Sequence, residues 1–446
     1  MARQAYSSCR LTGWYSEMLK YTLETMTELD RKLVLTRGDV DLSSSTAIAR
    51  EVIDAVRSRG DAALREFAER FDGFKGGLLT VPAEEIEGSI QLVGTEVLEA
   101  LKLSKRRIEA YHKRQETKPF EFQDDTGKFG QRVVPLDRIG VYVPGGTAAY
   151  MSSVLMACIP AAIAGVKELA LCTPGKGGRV PVEILATAQI CGVKEVHPIG
   201  GAQAIAALAY GTESIDRVQK IVGPGGSFVS AAKLLVRNDC EIDFLAGPSE
   251  VLVIADEKAD PELIARDMLA QLEHDPLARA VLVSTSKSVN DKAAAKLEKL
   301  LAGAERKGIA SQAARRGSIF ILAKDLEAAV GFANEYAPEH LLIDVAEPIL
   351  LLDKIRSAGS VFLGSQSSVV FGDYCSGTNH ILPTKGTASM RSSLSVYDFL
   401  KIIPYQCMSD SGAAKLSSVV DVLARAEGLP AHADSALARA RKGGRR

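Results

Sequence analysis

The stretch RIGVYVPGG (138–146) joins a short apolar strand to a glycine-rich turn, and this pairing decides the fold class. Short apolar runs of the same kind recur along the chain, separated by stretches whose apolar residues lie three and four apart, the spacing of helices. The runs form two series, at 138–143, 167–173, 194–199 and 218–222, and at 251–256, 279–285, 318–323, 340–345 and 360–364. Apolar strands that alternate with amphipathic helices form parallel sheets covered on both faces. We therefore predict an α/β protein with two doubly wound domains.

The sequence on either side of the two series has other patterns. Between 44 and about 112 the apolar spacing is helical, and Gly60 and Gly73 are placed to end the first two helices. From about Thr387 the alternation is lost, and a helix is predicted at 413–428. The predicted units are a non-core extension at 1–25, a helical part at 26–135 that packs on the first α/β domain, the two α/β domains at 136–250 and 251–386, and a small C-terminal unit at 387–446.

The overall composition is that of a soluble globular protein. Of the 446 residues 46% are hydrophobic and 24% are charged, and the net charge of −1 argues against a surface for nucleic acid or an anionic membrane. No apolar run reaches the roughly 18 residues that a membrane span needs. Seven cysteines without a C-x-x-C pair predict reduced thiols and a cytoplasmic protein. Arg3 and Arg10 precede the first acid, Glu17, which leaves organellar targeting open.

Three glycine-rich turns follow predicted strands, at 143–146, 200–203 and 222–226. Ligands of open α/β sheets collect at the carboxyl ends of the strands, so these turns are the first places to look for a site. Each turn leads into a predicted helix whose free amide groups are able to receive phosphate oxygens. None of them has the spacing G-x-G-x-x-G. Tight turns that need glycine for a positive φ are therefore an equally good interpretation.

The six histidines divide by their surroundings. His112 lies in a charged helix, and we predict a solvated position on the helix surface. His197 lies inside a strand, where packing or hydrogen bonding is expected. His380 is in a polar loop, and its surroundings favour neither a structural nor a functional role.

The stretch AQLEHDP (270–276) closes a predicted helix and holds a candidate metal site. Gln271 and His274 are three residues apart, so one face of the helix presents an amide oxygen and an imidazole nitrogen. A four-coordinate Zn²⁺ site needs two further ligands, and Asp373 and His432 are candidates. A structural or surface role for each histidine is the competing interpretation.

Glu339 and His340 are adjacent at a predicted helix–strand junction, in YAPEHL (336–341). An acid and a base at such a junction can both face a cleft. Glu339 is then placed to orient a water molecule, and His340 is placed to take a proton near neutral pH.

Taken together, six motifs resemble those of the histidinol dehydrogenase family, in the same order along the chain. They are VYVPGGTAAY (141–150), GGAQAIAALAYGTE (200–213), DFLAGPSEVLVIAD (243–256), AQLEHDP (270–276), YAPEHL (336–341) and GDYCSGTNHILPT (372–384). The resemblance extends from about 26 to 432. It implies zinc-dependent, NAD-linked oxidation of L-histidinol to L-histidine through histidinal, the final step of histidine biosynthesis. It also implies a homodimer of intertwined Rossmann-like domains, in which a small C-terminal segment reaches the partner's active site.

The resemblance also implies roles for individual residues. The implied zinc ligands are Gln271, His274, Asp373 and His432. The implied acid–base pair is Glu339 and His340. The implied substrate contacts are Ser249, Gln271, His274, His340, Asp373, Glu427 and His432, of which Glu427 and His432 belong to the segment that reaches the partner. The implied NAD contacts are Tyr142, Gln203 and Gly226.

One of these positions departs from the family, and alternatives to the implied activity exist. Gly226 stands where the family usually has asparagine, so one hydrogen bond to NAD is in doubt. A related zinc- and NAD-dependent enzyme acting on another polar alcohol, such as a sulfonated diol, is the main alternative. Ser249, Glu427 and His432 favour histidinol, because an ammonium-bearing substrate needs the extra carboxylate. A zinc-dependent hydrolase and an aldehyde oxidation through a Cys375 thiolate are weaker alternatives.

Overall fold

The computed structural model describes residues 18–37, 43–74, 76–145, 149–175 and 177–443. The strands in these ranges are β1 (Leu19–Thr22), β2 (Phe120–Gln123), β3 (Gly127–Pro135), β4 (Arg138–Tyr142), β5 (Glu168–Cys172), β6 (Glu195–His197), β7 (Lys220–Val222), β8 (Glu241–Ile242), β9 (Glu250–Ala255), β10 (Arg279–Ser284), β11 (Ser318–Leu322), β12 (His340–Asp344), β13 (Ser360–Leu363) and β14 (Leu400–Met408).

The helices in the same ranges are α1 (Glu28–Thr36), α2 (Ser43–Arg59), α3 (Asp61–Asp72), α4 (Ala83–Gly88), α5 (Thr95–His112), α6 (Met151–Ala164), α7 (Val182–Ile190), α8 (Gly201–Tyr210), α9 (Ser227–Val236), α10 (Pro261–Leu272), α11 (Lys287–Gly303), α12 (Lys307–Gly317), α13 (Leu326–Tyr336), α14 (Ile349–Leu352), α15 (Val369–Tyr374), α16 (Asp410–Ala426) and α17 (Pro430–Gly443). No helix in the described part of the chain is long and apolar enough to cross a membrane.

Two parallel sheets organise the molecule, as the sequence predicted. The first sheet has the strand order β6-β5-β4-β7-β8, and the second has the order β1-β11-β10-β9-β12-β13. Apart from β1, both orders are third-second-first-fourth-fifth along the chain, which is the doubly wound arrangement. All nine predicted strands are present, with ends within two residues of the predicted ones. The prediction of an α/β fold with parallel sheets is confirmed.

Alternate residues of each central strand pack on opposite faces, so that both faces of each sheet are buried. In the first sheet, Cys172 faces the core formed with α2, α3, α8 and α9, whereas Val141 faces the core formed with α5, α6 and α7. In the second sheet, Val253 faces α10, α11 and α12, whereas Ile254 faces α1 and α13. These strands are therefore apolar along their whole length, as parallel strands covered by helices must be.

Two predictions about the N-terminal region were wrong. Residues 19–22 were assigned to a non-core extension, but they form β1, which pairs in parallel with β11 at the edge of the second sheet. The strand escaped prediction because it is short and three of its four residues are exposed. Helix α1 was expected to pack on the first α/β domain, but its Val34 is buried in the core of the second.

A third, antiparallel sheet was not predicted. It has the order β14-β3-β2 and joins the C-terminal part of the chain to residues 120–135, which had been assigned to a helical region. Beyond it, α16 confirms the helix predicted at 413–428, and α17 packs against α16. Large apolar side chains remain exposed on β14 and α16: Ile402, Ile403, Tyr405, Leu416, Val419, Val420, Val422 and Leu423.

The carboxyl edge of the first sheet lies close in the chain to the amino edge of the second. Only residues 243–249 separate the end of β8 from the start of β9, and a link of this length spans at most roughly 25 Å. The segment after α15 also returns to the first domain, where Asn379 donates to the main-chain oxygen of Met156 (2.7 Å) and Ile381 is buried in the core. These links hold the two edges near one another.

Candidate active site

The predicted acid–base pair lies at the amino edge of the second sheet. His340 is the first residue of β12, and Glu339 directly precedes it. Glu250 is the first residue of the neighbouring strand, β9, which pairs with β12 in parallel. The side chains of Glu339 and His340 are 8% and 5% exposed, so both ionisable groups are almost fully removed from water.

The main chain of Glu250 contacts both members of this pair. Its N–H group donates to Glu339 Oε2 (2.8 Å), and its carbonyl oxygen is 3.0 Å from His340 Nδ1. A carbonyl oxygen only accepts, so the proton of this hydrogen bond is on Nδ1. The other ring nitrogen, Nε2, is buried and has no hydrogen-bond partner among the described residues. The carbonyl of Glu250 thus occupies Nδ1, and Nε2 is the ring nitrogen that remains available to a further group.

The electrostatic surroundings couple the two ionisable groups. Burial raises the pKa of Glu339 to about 8, against the attraction of His340. Burial would lower the pKa of His340, but the carboxylates of Glu339 and Asp373 outweigh it and raise that pKa to about 9. Strongly shifted pKa values of this kind are typical of acid–base sites, where burial and neighbouring charges act together on the ionisable groups.

Two of the predicted metal ligands, Asp373 and His274, lie near His340, and a third, Gln271, precedes His274 by three residues. Asp373, on the short helix α15, has Oδ1 at 3.5 Å from His340 Nε2. Gln271 and His274 are at the C-terminal end of α10, which packs against α15. Gln271 is buried, whereas part of the surface of His274 remains exposed. Partial burial lowers the pKa of His274, and the Asp373 carboxylate opposes this effect.

His380 contacts the main chain of Asp373. Its Nδ1 is 2.7 Å from the main-chain oxygen of Asp373, and its Nε2 is 3.4 Å from the hydroxyl of Ser153 on α6. The sequence favoured neither role for His380, and these contacts give it a structural one. The contact with Ser153 also ties the site on the second sheet to a helix of the first domain.

The donor atoms of one chain fit part of a metal site. Within the described ranges, no three His, Cys, Asp or Glu side chains are gathered as the ligands of a single ion. The predicted set has only two such residues near His340, namely His274 and Asp373, and Gln271 adds an amide oxygen. One nitrogen and two oxygens leave a tetrahedral zinc site one ligand short.

The two C-terminal site residues lie apart from this cluster. Glu427 follows α16, His432 is on α17, and both are exposed. In the described part of the chain, no hydrogen bond or ion pair joins either side chain to Gln271, His274 or Asp373. Of the other predicted substrate contacts, Ser249 directly precedes Glu250 and is partly exposed. Cys375, the alternative nucleophile, ends α15 and is partly exposed.

The predicted cofactor residues lie at the carboxyl edge of the first sheet. Tyr142 is the last residue of β4, and its hydroxyl accepts a hydrogen bond from the main-chain N–H of Gly201 (3.1 Å) at the start of α8. Gln203, one turn into the same helix, is 1% exposed. Its amide donates to Asp72 Oδ2 (3.1 Å), which also accepts from the N–H of Gly200 (3.0 Å). Asp72 is a site residue that sequence reasoning missed, because it ends a helix far away in the sequence.

A buried ion pair forms hydrogen bonds with the glycine-rich turn after β7. Lys233 Nζ is 2.6 Å from Asp243 Oδ1, and both side chains are 2% exposed. Lys233 also donates to the carbonyl oxygen of Gly223 (2.6 Å), whose N–H donates to Asp243 Oδ2 (2.7 Å). Gly223 has φ +114°, and a Cβ there would lie 2.0 Å from the carbonyl oxygen of Tyr142, so only glycine fits. By contrast, a Cβ at Gly226 would have no atom of the described residues within 4 Å.

A cavity of about 300 Å³ opens beside Gln203. It lies between α2, α3 and the first turns of α8 and α9. Its lining is mostly apolar and includes three phenylalanines, with the residues Ile48, Glu51, Val52, Phe67, Arg70, Phe71, Gly201, Ala202, Gln203 and Phe228. A cavity of this size lies at the lower end of the range for small-molecule sites.

Two further sequence predictions have clear outcomes. His197 is buried and bonds to the carbonyl oxygen of Leu79 (2.9 Å) and to Glu195 (2.7 Å), as predicted. The prediction for His112 was wrong: it is fully buried, with Nδ1 2.9 Å from the carbonyl oxygen of Ile108. Its spacing of four residues from Ile108 places it on the buried face of α5, although its neighbours in sequence are charged.

Comparisons with known proteins agree with this geometry. The family model of histidinol dehydrogenase matches residues 35–440. A histidinol dehydrogenase of Natronomonas pharaonis is 46% identical over 407 residues, which cover 91% of this chain and 96% of that protein. One of Pseudomonas fluorescens is 46% identical over 390 residues, covering 86% and 88%.

The fold gives the same relationship. The crystal structure of the histidinol dehydrogenase from Elizabethkingia anophelis matches with a TM-score of 0.91 and 36% identity, over 96% of this chain and 98% of that one. Because the sequence match and the structural match both extend over nearly the full length, the chain belongs to the histidinol dehydrogenase family.

Proposed function

We propose that the chain oxidises L-histidinol to L-histidine through histidinal with two molecules of NAD, the final step of histidine biosynthesis. The observation that carries the proposal is the buried pair of Glu339 and His340. Both side chains form hydrogen bonds with the main chain of Glu250, and His340 Nε2 lies 3.5 Å from Asp373 Oδ1. This is the arrangement that a dehydrogenase of a polar alcohol needs, namely a base of fixed orientation beside polar groups that hold the substrate.

NAD is proposed to bind at the carboxyl edge of the first sheet, in contact with Tyr142, Gln203 and Gly226. Three features support this location. The edge has glycine-rich turns that lead into α8 and α9, whose first amide groups favour phosphate oxygens. The side chain of Gln203 is oriented by Asp72. The cavity beside Gln203 has room for part of a dinucleotide.

Zinc is proposed to be held by Gln271, His274 and Asp373 of one chain together with His432 of the partner subunit. The donor set supports this assignment, because one chain supplies two oxygens and one nitrogen and lacks a fourth ligand. When bound, zinc supplies a positive charge that fixes the ring and amine nitrogens of the substrate and offsets the Asp373 carboxylate. Ser249 and the partner's Glu427 complete the proposed substrate contacts.

The residues of this chain account for the proton movements. As the first hydride passes from the carbinol carbon to NAD, His340 Nε2 accepts the hydroxyl proton and histidinal forms. Glu339 then takes a proton from water and the water oxygen adds to the aldehyde carbon, while His340 Nε2 returns its proton to the carbonyl oxygen, which gives the hydrate and leaves Nε2 neutral again. His340 Nε2 accepts a proton from the hydrate as the second hydride leaves. The balance is one alcohol, two NAD and one water giving one carboxylate, two NADH and three protons. General-base steps of this kind contribute about 10²–10⁴-fold each.

A homodimer is part of the proposal. Eight large apolar residues are exposed on β14 and α16, and clusters of exposed apolar residues are typical of surfaces that a partner covers. Glu427 and His432 lie in the same C-terminal unit and have no partner from the site in their own chain. A second subunit that covers this surface would bring them to its own zinc site. A cytoplasmic location is supported by the described cysteines, which are all free thiols.

The test is the yield of NADH from limiting histidinol with excess NAD. Two NADH per histidinol are expected from the four-electron oxidation. A yield of one would indicate a simple alcohol dehydrogenase. If histidinol gave none while a sulfonated diol gave NADH, the related enzyme would be the correct assignment. A zinc-dependent hydrolase would form no NADH from any alcohol.

A further inference from the structure

We infer that Arg37 is a positioning residue for the acid–base pair, acting through Glu250. The inference rests on the roles proposed above for Glu339 and His340, and nothing in the sequence pattern singles out Arg37. Three sets of contacts support it: those of Glu250 with the pair, those that anchor the Glu250 side chain, and those of Arg37 with the segment before Glu339.

The first set of contacts joins the main chain of Glu250 to the acid–base pair. Its N–H group and its carbonyl oxygen contact Glu339 and His340 through hydrogen bonds of 2.8 Å and 3.0 Å. A displacement of the first residue of β9 therefore moves both side chains of the pair at once. It would also release the proton that the Glu250 carbonyl keeps on His340 Nδ1. Misplacement of a base by about 1 Å is enough to slow a reaction by roughly 100-fold.

The second set of contacts anchors the side chain of Glu250. Its Oε2 accepts hydrogen bonds from Arg37 Nε (2.5 Å) and from the hydroxyl of Tyr336 (3.2 Å). The side chains of Arg37 and Glu250 are 7% and 2% exposed, so the ion pair lies out of water. The other carboxylate oxygen, Oε1, is buried and has no hydrogen-bond partner within the ranges that the structure describes. In those ranges the contacts that hold the carboxylate all reach Oε2, and Arg37 supplies the positive charge among them.

The third set of contacts joins Arg37 to the end of α13, the segment that leads to Glu339. Its guanidinium group lies 3.8 Å from the ring centroid of Tyr336 and donates to the carbonyl oxygens of Tyr336 and Leu35. Tyr336 is the last residue of α13, three residues before Glu339. One guanidinium group therefore fixes both chain segments that meet at the acid–base pair, the start of β9 and the turn into β12.

The chain contains a matched control. Arg31 lies on α1, six residues before Arg37. It also pairs with a glutamate of α13, Glu335, and it lies 5.6 Å from the ring centroid of Phe332. The contacts of Arg31 with α13 are of the same kind, but its ion pair is at the surface, with the arginine side chain 35% exposed. Arg31 docks α1 without touching Glu250. Comparing the two arginines separates positioning of the pair from docking of the helix.

The experiment compares Arg37→Lys, Arg31→Lys and Tyr336→Phe as full-length, zinc-loaded enzymes. Lysine keeps the charge and allows folding, but it cannot reproduce the several directed N–H groups of arginine. For Arg37→Lys we expect kcat to fall roughly 10- to 100-fold, with KM for histidinol, Kd for NAD and zinc content within about twofold of the unchanged enzyme. Tyr336→Phe, which removes only one of the donors to Glu250, should lower kcat a few-fold. Arg31→Lys should leave kcat unchanged.

A second readout does not depend on turnover. The hydrogen-bonded Nδ1–H of His340 gives a slowly exchanging, downfield ¹⁵N-bound proton signal that His340→Gln lacks. This signal should broaden or vanish in Arg37→Lys and persist in Arg31→Lys. A normal kcat in Arg37→Lys, an equal loss in Arg31→Lys, or a loss confined to KM would overturn the inference. If the unchanged enzyme made no NADH from histidinol, the proposed function would fail, and the signal would still decide whether Arg37 positions His340.

Discussion

The two parallel sheets have the same strand order but present their polar residues at opposite edges. In the first sheet, Tyr142 ends β4 and Gly226 follows β7, so the proposed cofactor site is at the carboxyl edge. In the second, Glu250 begins β9 and His340 begins β12, so the acid–base pair is at the amino edge. Strand order therefore does not determine which edge of a doubly wound sheet carries the chemistry.

The connection between the sheets explains the difference. Residues 243–249 lead from the carboxyl edge of the first sheet directly to the amino edge of the second. Two sites on these edges are near one another, as hydride transfer between a cofactor and a substrate requires. The carboxyl edge of the second sheet is less suited to a dinucleotide. It carries the buried carboxylates of Asp256 and Asp344, whose charge repels phosphate.

The largest effect is expected from His340→Ala, which removes the base from the amino edge of the second sheet. Loss of His340 Nε2 should reduce kcat about 10²–10⁴-fold. Kd for NAD and zinc content should stay unchanged, because the cofactor and metal contacts lie on other side chains. Steady-state kinetics, calorimetry with NAD and metal analysis measure the three quantities. A retained kcat would remove His340 from the mechanism.

Asp344→Asn tests the carboxyl edge that carries no proposed site. Burial, together with the charge of Asp256, raises the pKa of Asp344 from 3.8 to about 6. Between these values the native state binds more protons than the unfolded state, so native stability falls as the pH rises. The substitution removes a penalty of about 1–2 kcal/mol after allowance for solvent screening. Thermal unfolding should show a higher Tm than the unchanged protein above about pH 7 and no difference below about pH 4. An equal gain at both pH values would show that the carboxylate charge is not the cause.

Gln203→Ala tests the carboxyl edge of the first sheet. Removing the buried amide takes away a proposed NAD contact and leaves Asp72 with one fewer donor. Kd for NAD should rise about tenfold, the equivalent of one hydrogen bond to a charged group, while kcat at saturating NAD stays near its original value. Gln189→Ala is the control, because Gln189 lies on α7, on the opposite face of the same sheet. An unchanged Kd in Gln203→Ala would place the cofactor elsewhere.

Gly226→Asn sharpens the same comparison. Position 226 is the N-cap of α9, and a Cβ there would have no described atom within 4 Å. Asparagine should therefore fit and cap the helix, which stabilises it by a few tenths of a kcal/mol over glycine. Its amide should also supply the hydrogen bond to NAD that the family resemblance implies and tighten NAD binding about fivefold. Calorimetry with NAD measures the change. Weaker binding would mean that the open space beside Gly226 is itself needed by the cofactor.

The smallest effect is expected from Cys375→Ser. Cys375 is partly exposed at the end of α15, and the buried acid–base pair already provides for the proton transfers. Both NADH per histidinol should be formed at the original rate. A variant that stopped after the first NADH would point to a thiolate in the oxidation of the aldehyde.

The sequence predicted the parts of the fold that depend on local patterns. All nine apolar runs became strands, because buried parallel strands are apolar throughout. The strands β1 and β14 were missed for the opposite reason: they are mostly exposed, and they are stabilised by pairing with β11 and β3, which are distant in the sequence.

The site shows the same division. The residues near His340 were identified through six motifs with a family resemblance, but the general rule about carboxyl edges would have led to the wrong end of the second sheet. Asp72 and Arg37 had no signal in their spacing or neighbours. Each acts through a contact between segments more than a hundred residues apart, Asp72 with Gln203 and Arg37 with Glu250. Such contacts follow from the folded chain and not from local sequence.

The central claim is that NAD binds at the carboxyl edge of the first sheet and not at the carboxyl edge of the second. Hydrogen exchange of the zinc-loaded protein with and without NAD, measured by mass spectrometry, tests it most directly. The account predicts slower exchange at 200–206 and 223–230, at the carboxyl edge of the first sheet. It predicts unchanged exchange at 255–258, 284–287 and 344–347, at the carboxyl edge of the second. Protection of the second group of segments without the first would contradict it.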